Sequence, residues 1–164
     1  IQPVSNKDLS RMASGYGYRI HPIYKTRKLH AGMDFSAKTG TEIYSTGDGV
    51  VSKVKRSKRG YGNYIKINHG FGYETLYAHM SKFARGIKNG VRVKQGQTIG
   101  YVGSTGKSTG PHLHYEVIVN GKKVNSQKLK LPSGKILRGK NRELFETNKI
   151  RLDVLKSEKI IGLN

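Results

Sequence analysis

Cysteine is absent from the 164 residues. Disulfides and thiolate-held structural metals are therefore excluded. Acidic residues are scarce: 10 stand against 31 lysines and arginines, a formal charge of +21. Only Asp8, Asp34, Glu42, Asp48, Glu74 and Glu116 fall in residues 1–124, so each carboxylate there needs a reason. So large a positive excess predicts an anionic partner: nucleic acid, a membrane surface or an acidic polymer. Long apolar runs are missing too. Nothing approaches the roughly 18 residues that would cross a bilayer, so no transmembrane segment is expected. The chain does not start with methionine and carries no signal-peptide pattern, which reads as a mature form or an excised domain. A long helical period is also lacking before residue 125.

What the chain has in quantity is glycine, 21 residues, and tyrosine, 10 against 4 phenylalanines. Short runs of Val, Ile and Tyr between glycines predict a mainly β fold. Strands are expected at Glu42–Ser45, Gly49–Lys55, Tyr64–Ile67, Tyr73–His79, Val91–Val93, Thr98–Val102 and His112–Val119. Gly70-Phe71-Gly72 and Asn120-Gly121 are hairpin turn signals. The length fits one domain with a terminal appendage. Residues 1–13 read as a linker or leading arm and 14–124 as the folded domain. Residues 125–164 read as a basic C-terminal extension. Within it Asn141 can cap a helix starting at Arg142, with Leu144, Phe145, Leu152 and Leu155 on one face.

The chemistry gathers around Gly106-Lys107-Ser108-Thr109-Gly110-Pro111-His112-Leu113-His114-Tyr115-Glu116. Pro111 holds the approach extended. In the strand that follows, His112 and His114 point to one side and lie about 7 Å apart along it. His30 and Asp34, four apart, share a side in a strand or a helix, and Gly32 between them disfavours the helix. With His79 these make a set of four histidines and one aspartate. Two neutral imidazoles and one carboxylate form a catalytic zinc shell that leaves a position open. Other motifs fail residue by residue. The phosphate-loop pattern needs glycine where Tyr101 stands, and a strand rather than a helix follows. A His-x-His barrel hydrolase needs about 250 residues, and no His-Glu-x-x-His occurs. His21 and His69 read as structural or groove-edge residues. Glu116 shares the side of His112 and His114, where it can orient a ligand histidine or pair across strands with a lysine.

Together, His30-x-x-x-Asp34, Tyr77-Ala78-His79 and Gly110-Pro111-His112-Leu113-His114 resemble the lysostaphin/LytM-type zinc metallopeptidases. Gly15-Tyr16-Gly17-Tyr18-Arg19-Ile20-His21-Pro22 matches that family's opening segment, and the resemblance spans residues 14–124. It implies a small antiparallel β-sheet groove and cleavage of peptide bonds in bacterial peptidoglycan. It implies Zn2+ held by His30, Asp34 and His114, with His79 and His112 as the catalytic pair. One histidine would move the water proton to the leaving amine and the other would bind the oxyanion, in an order the resemblance leaves open. Lys128-Leu129-Lys130-Leu131-Pro132 and Arg142-Glu143-Leu144-Phe145 are similar to the extension of Gram-negative members. This implies a murein hydrolase of the periplasm or cell envelope, a D,D-endopeptidase acting between D-Ala and diaminopimelate. A D,D-carboxypeptidase and a non-catalytic cell-wall-binding activator are the alternatives. Peptidoglycan is the expected partner, with a regulatory or inhibitory domain outside this chain. No specific nucleic acid is expected, since charge alone supports one.

Overall fold

The computed structural model describes residues 1–20 and 27–129 and the isolated positions 140, 143, 147, 148, 150 and 151. The chain forms two compact units, Ile1–Leu129 and Lys130–Asn164. Among the described residues the first contains twelve strands: β1 (Leu9–Ser14), β2 (Gly17–Ile20), β3 (Arg27–His30), β4 (Met33–Ala37), β5 (Glu42–Tyr44), β6 (Gly49–Lys55), β7 (Asn63–Gly70), β8 (Tyr73–Phe83), β9 (Arg92–Val93), β10 (Thr98–Val102), β11 (His112–Val119) and β12 (Lys122–Val124). The main sheet runs β1-β4-β11-β8-β7-β6-β9, with β12 on β11 and β10 joining β5 to β8; β2 and β3 pair separately. Every pairing is antiparallel.

The expectation of a mainly β, antiparallel domain holds, and β6, β10 and β11 have the expected ends. Both hairpin signals are realised. Phe71 and Gly72 take φ of 50° and 79°, and Asn120 and Gly121 take 48° and 78°. Those pairs of left-handed residues are what a type I′ turn needs, and its twist matches the strands it joins. The leading arm expected over 1–13 is different in the structure. Leu9–Ser14 forms β1 on β4, and Val4 is fully buried in the core. A short segment with bulges and a mixed polar pattern gives no period to read, but an unpaired β4 edge offers it hydrogen bonds. Arg142, Leu144, Phe145, Leu152 and Leu155, the residues named for the expected helix, lie outside the described residues, as does His21.

Alternation separates two sides of the sheet. Tyr115, Tyr77, Ile65 and Val54 stand opposite one another across β11, β8, β7 and β6, as do Val117, Thr75, Ile67 and Val51. These residues, with Phe35, Ile43, Met80, Ile99, Val102 and Leu113, make or border the core. The polar residues between them are thereby turned to the other side, which is where His112, His114 and Glu116 stand.

Candidate metal centre

β4 and β11 place the first residues. His114 pairs directly with Asp34, and opposed residues of an antiparallel pair share a side. His30 comes from the end of β3, across the turn Ala31-Gly32. That turn passes close over β11. A Cβ at Gly32 would lie 2.6 Å from the Tyr115 carbonyl oxygen and 2.7 Å from the His114 ring. Only glycine permits that approach, so the spacing His30-Ala31-Gly32-Met33-Asp34 is set by packing as well as chemistry.

The three side chains converge. Asp34 Oδ1 lies 2.8 Å from His114 Nδ1 and 3.1 Å from His30 Nε2, and the two nitrogens are 3.2 Å apart. Their outer nitrogens are already committed. His30 Nδ1–H donates to the Gly15 carbonyl at 2.8 Å, and His114 Nε2–H donates to Glu116 Oε1 at 3.0 Å. In the neutral rings the inner nitrogens therefore carry lone pairs. Two lone pairs and a carboxylate oxygen facing one another repel unless a cation lies among them. Ligands at about 2.0–2.2 Å around a tetrahedral ion stand roughly 3.3–3.6 Å apart, so the 2.8, 3.1 and 3.2 Å separations need only a small outward shift to admit one. His30, Asp34 and His114 can thus hold a metal ion.

The local field favours positive charge here. Burial opposes ionisation of Asp34, but the close polar contacts with His114 and His30 outweigh it and hold the carboxyl well below the usual range. Burial likewise opposes charge on His114, yet Asp34 and Glu116 on either side raise its pKa. The Arg19 guanidinium stands 3.6 Å from the other oxygen, Asp34 Oδ2.

His79 and His112 flank this group. Their ring centroids are 4.8 Å apart, and His79 lies 5.9 Å from His114. Strict alternation would put His79 on the core side with Tyr77. Instead Asn63 pairs with Met80 while Ile65 pairs with Tyr77, so β8 has one residue more than β7 between those pairs. His79 sits in that bulge with φ of 61°. Bulges re-aim side chains in this way, and a left-handed histidine is rare enough to indicate a site. His79 Nδ1–H donates to the Thr105 carbonyl at 2.7 Å, and burial pushes its pKa below the usual histidine value. His112 Nδ1–H donates to the Gly110 carbonyl at 2.8 Å. Its Nε2 lies 3.9 Å from Asp34 Oδ1. Both rings thus have an Nε2 free to act.

All five residues singled out from the sequence come together. Glu116 meets both readings offered for it. It accepts from His114, and it pairs with Lys123 at 3.0 Å. It is buried and also accepts from the Tyr61 hydroxyl at 2.7 Å. Burial opposes its charge, but His114, Tyr61 and Lys123 keep its pKa low. Lys123 was legible: a two-residue turn at Asn120-Gly121 pairs Ile118 with Lys123, on the side of Glu116. Tyr61, whose ring stacks on His114 at 5.9 Å, comes from a loop and had no such signal. His69 stands apart, bonded to the Asp48 carbonyl and Thr75 Oγ1, both at 2.7 Å. It lines a cavity with Asp48, Arg92 and Lys94 that includes none of the five.

The sequence profile of Peptidase family M23 matches residues 28–126. DD-carboxypeptidase/endopeptidase Mpg of Neisseria meningitidis serogroup B is 44% identical over 146 residues, covering 89% of this chain and 33% of that protein. Peptidoglycan DD-endopeptidase ShyC of Vibrio cholerae is 44% identical over 151 residues, covering 91% of this chain and 34% of that protein. The chain therefore spans about a third of the length of these relatives. A zinc-containing peptidase from Vibrio cholerae superimposes with a TM-score of 0.74 at 40% identity, over 80% of this chain and 40% of that one.

Proposed function

The chain belongs to peptidase family M23, and from that premise we propose that it is a zinc-dependent peptidoglycan hydrolase, a D,D-endopeptidase of the cell envelope. The observation that carries the reading is the convergence of three lone-pair donors, His30 Nε2, Asp34 Oδ1 and His114 Nδ1, beside two further histidines with a free Nε2. His30, Asp34 and His114 hold Zn2+. When bound, zinc polarises the scissile carbonyl and lowers the pKa of a water molecule.

The remaining work falls to the chain. Glu116 holds the His114 Nε2 proton, which keeps Nδ1 pointed at the ion. The Gly15 carbonyl does the same for His30. His79 and His112 are both fixed as Nδ1–H tautomers, so a base must be neutral at Nε2 and an oxyanion donor must be protonated there. Burial keeps His79 neutral, which suits it to take the proton of the attacking water. That proton passes to the amine nitrogen as the carbon–nitrogen bond breaks. That leaves His112, beside His79 and with its Nε2 3.9 Å from Asp34 Oδ1, as the group that hydrogen-bonds the oxyanion.

Similarity of the tail to Gram-negative members supports a direct D-Ala to diaminopimelate crosslink as the bond cut, in the periplasm. Residues 125–164 would be a basic extension bearing a helix, and a regulatory or inhibitory domain would lie outside this chain. The name of the Neisseria relative supports a second reading, trimming of terminal D-Ala. Digestion of crosslinked muropeptide dimers and of monomeric pentapeptides, followed by mass, separates the two. Monomers released from dimers are expected. Free D-Ala from pentapeptide with dimers left intact would make the enzyme a carboxypeptidase, and no cleavage of either would leave the activator reading.

A further inference from the structure

The register carries the metal-site side of the sheet outward to β6. Asp34, His114 and Ala78 stand opposite one another on β4, β11 and β8. Tyr64 and Lys55 continue that row on β7 and β6 beyond the bulge. The adjacent row reads Glu116, Leu76, Lys66 and Lys53. Opposed residues share a side, so Lys53 and Lys55 look out on the same side as the histidines. Both are exposed.

Alternation explains why residues 53 and 55 are polar, since Val51 and Val54 fill the core side. It does not explain two cations. Lys66 has Glu74 at 2.7 Å. Lys53 and Lys55 have no acidic partner within 4.0 Å among the described residues. Lys53 stands directly opposite Lys66, whose charge is met by Glu74, so Lys53 gains no neutralisation from across the strand. Two exposed, unneutralised cations on the histidine side can meet an anion from outside. With strands about 4.8 Å apart, Lys55 is three strands, roughly 14–15 Å, from His114. An extended peptide covers that in about four residues.

We propose that Lys53 and Lys55 form a carboxylate-binding subsite beside the metal centre, which takes one peptide arm of the substrate through its free carboxylates. The inference rests on the hydrolase reading and adds the substrate's charge to it. Carboxylates within about four residues of the scissile bond reach the two ammonium groups; carboxamides at the same positions do not pair with them. Since the subsite is remote from the breaking bond, it acts equally on bound substrate and transition state and shows in KM rather than kcat.

The test compares crosslinked muropeptide dimers bearing free carboxylates with the same dimers converted to carboxamides. Wild type should favour the free acids by about 3- to 10-fold in kcat/KM, the scale of two exposed ion pairs, with the difference in KM. Lys53→Gln/Lys55→Gln should erase the preference. Lys7→Gln/Lys94→Gln removes equal charge elsewhere and should keep it. Equal use of the two dimers by wild type, or an unchanged preference in Lys53→Gln/Lys55→Gln, overturns the subsite. Binding of both dimers to zinc-loaded His79→Ala reads the subsite without turnover. Preferential binding with no cleavage by wild type would keep the subsite and sink the hydrolase reading; equal binding would sink the subsite.

Discussion

Replacing His79 by glycine and by alanine separates the backbone's role from the imidazole's. The residue occupies a bulge with φ of 61°, and its N–H donates to the Tyr61 carbonyl at 2.8 Å. Both variants lose the ring, its hydrogen bond to Thr105 and its packing, so these losses cancel between them. The difference is conformational. A left-handed residue with a Cβ costs about 1–2 kcal/mol, while glycine forfeits roughly 0.5–1 kcal/mol of unfolded-state freedom. His79→Gly should therefore be more stable than His79→Ala by about 0.5–1 kcal/mol, the reverse of their order in a regular strand. At this chain length that is about 1–4 °C in Tm. Thermal unfolding of both variants at one saturating zinc concentration provides the measurement, since bound metal adds its own stabilisation. Activity should be lost in both. An alanine variant as stable as the glycine variant, or more so, would refute the bulge and with it the account of how His79 leaves the core side.

Two further outcomes are expected. His114→Ala should lose bound zinc, whereas His112→Ala should keep it and lose about 10²- to 10⁴-fold in rate; metal analysis beside the activity assay detects a swap of the two roles. Glu116→Gln leaves an acceptor for His114 but removes the charge, so zinc affinity in a chelator competition should fall about 10- to 100-fold. An affinity within twofold of wild type would deny Glu116 any part in orienting His114.

Legibility from sequence followed the range of the interactions involved. Strand β11 could be read end to end, because Pro111 sets its start, Asn120-Gly121 its end, and alternation sorts Leu113, Tyr115 and Val117 from His112, His114 and Glu116. Lys123 was within reach of the same reasoning, through the register of a two-residue turn. Strand β1 was not. Its residues have no period, and its pairing partner β4 begins 24 residues after β1 starts.

By itself the sequence determined a mainly β domain and the hairpins, because turn preference and alternation act between neighbours along the chain, and its motifs singled out five candidate side chains. It could not place His79. Parity with Tyr77 puts that residue in the core, and only the mismatch between β7 and β8 turns it to the metal side. Nor could it show that the His30 and His114 protons are taken up by the Gly15 carbonyl and Glu116, which leaves lone pairs facing Asp34. Those facts belong to the tertiary structure, because pairing register and hydrogen-bond partners are settled between strands far apart in the chain, where the whole sheet must satisfy its backbone at once.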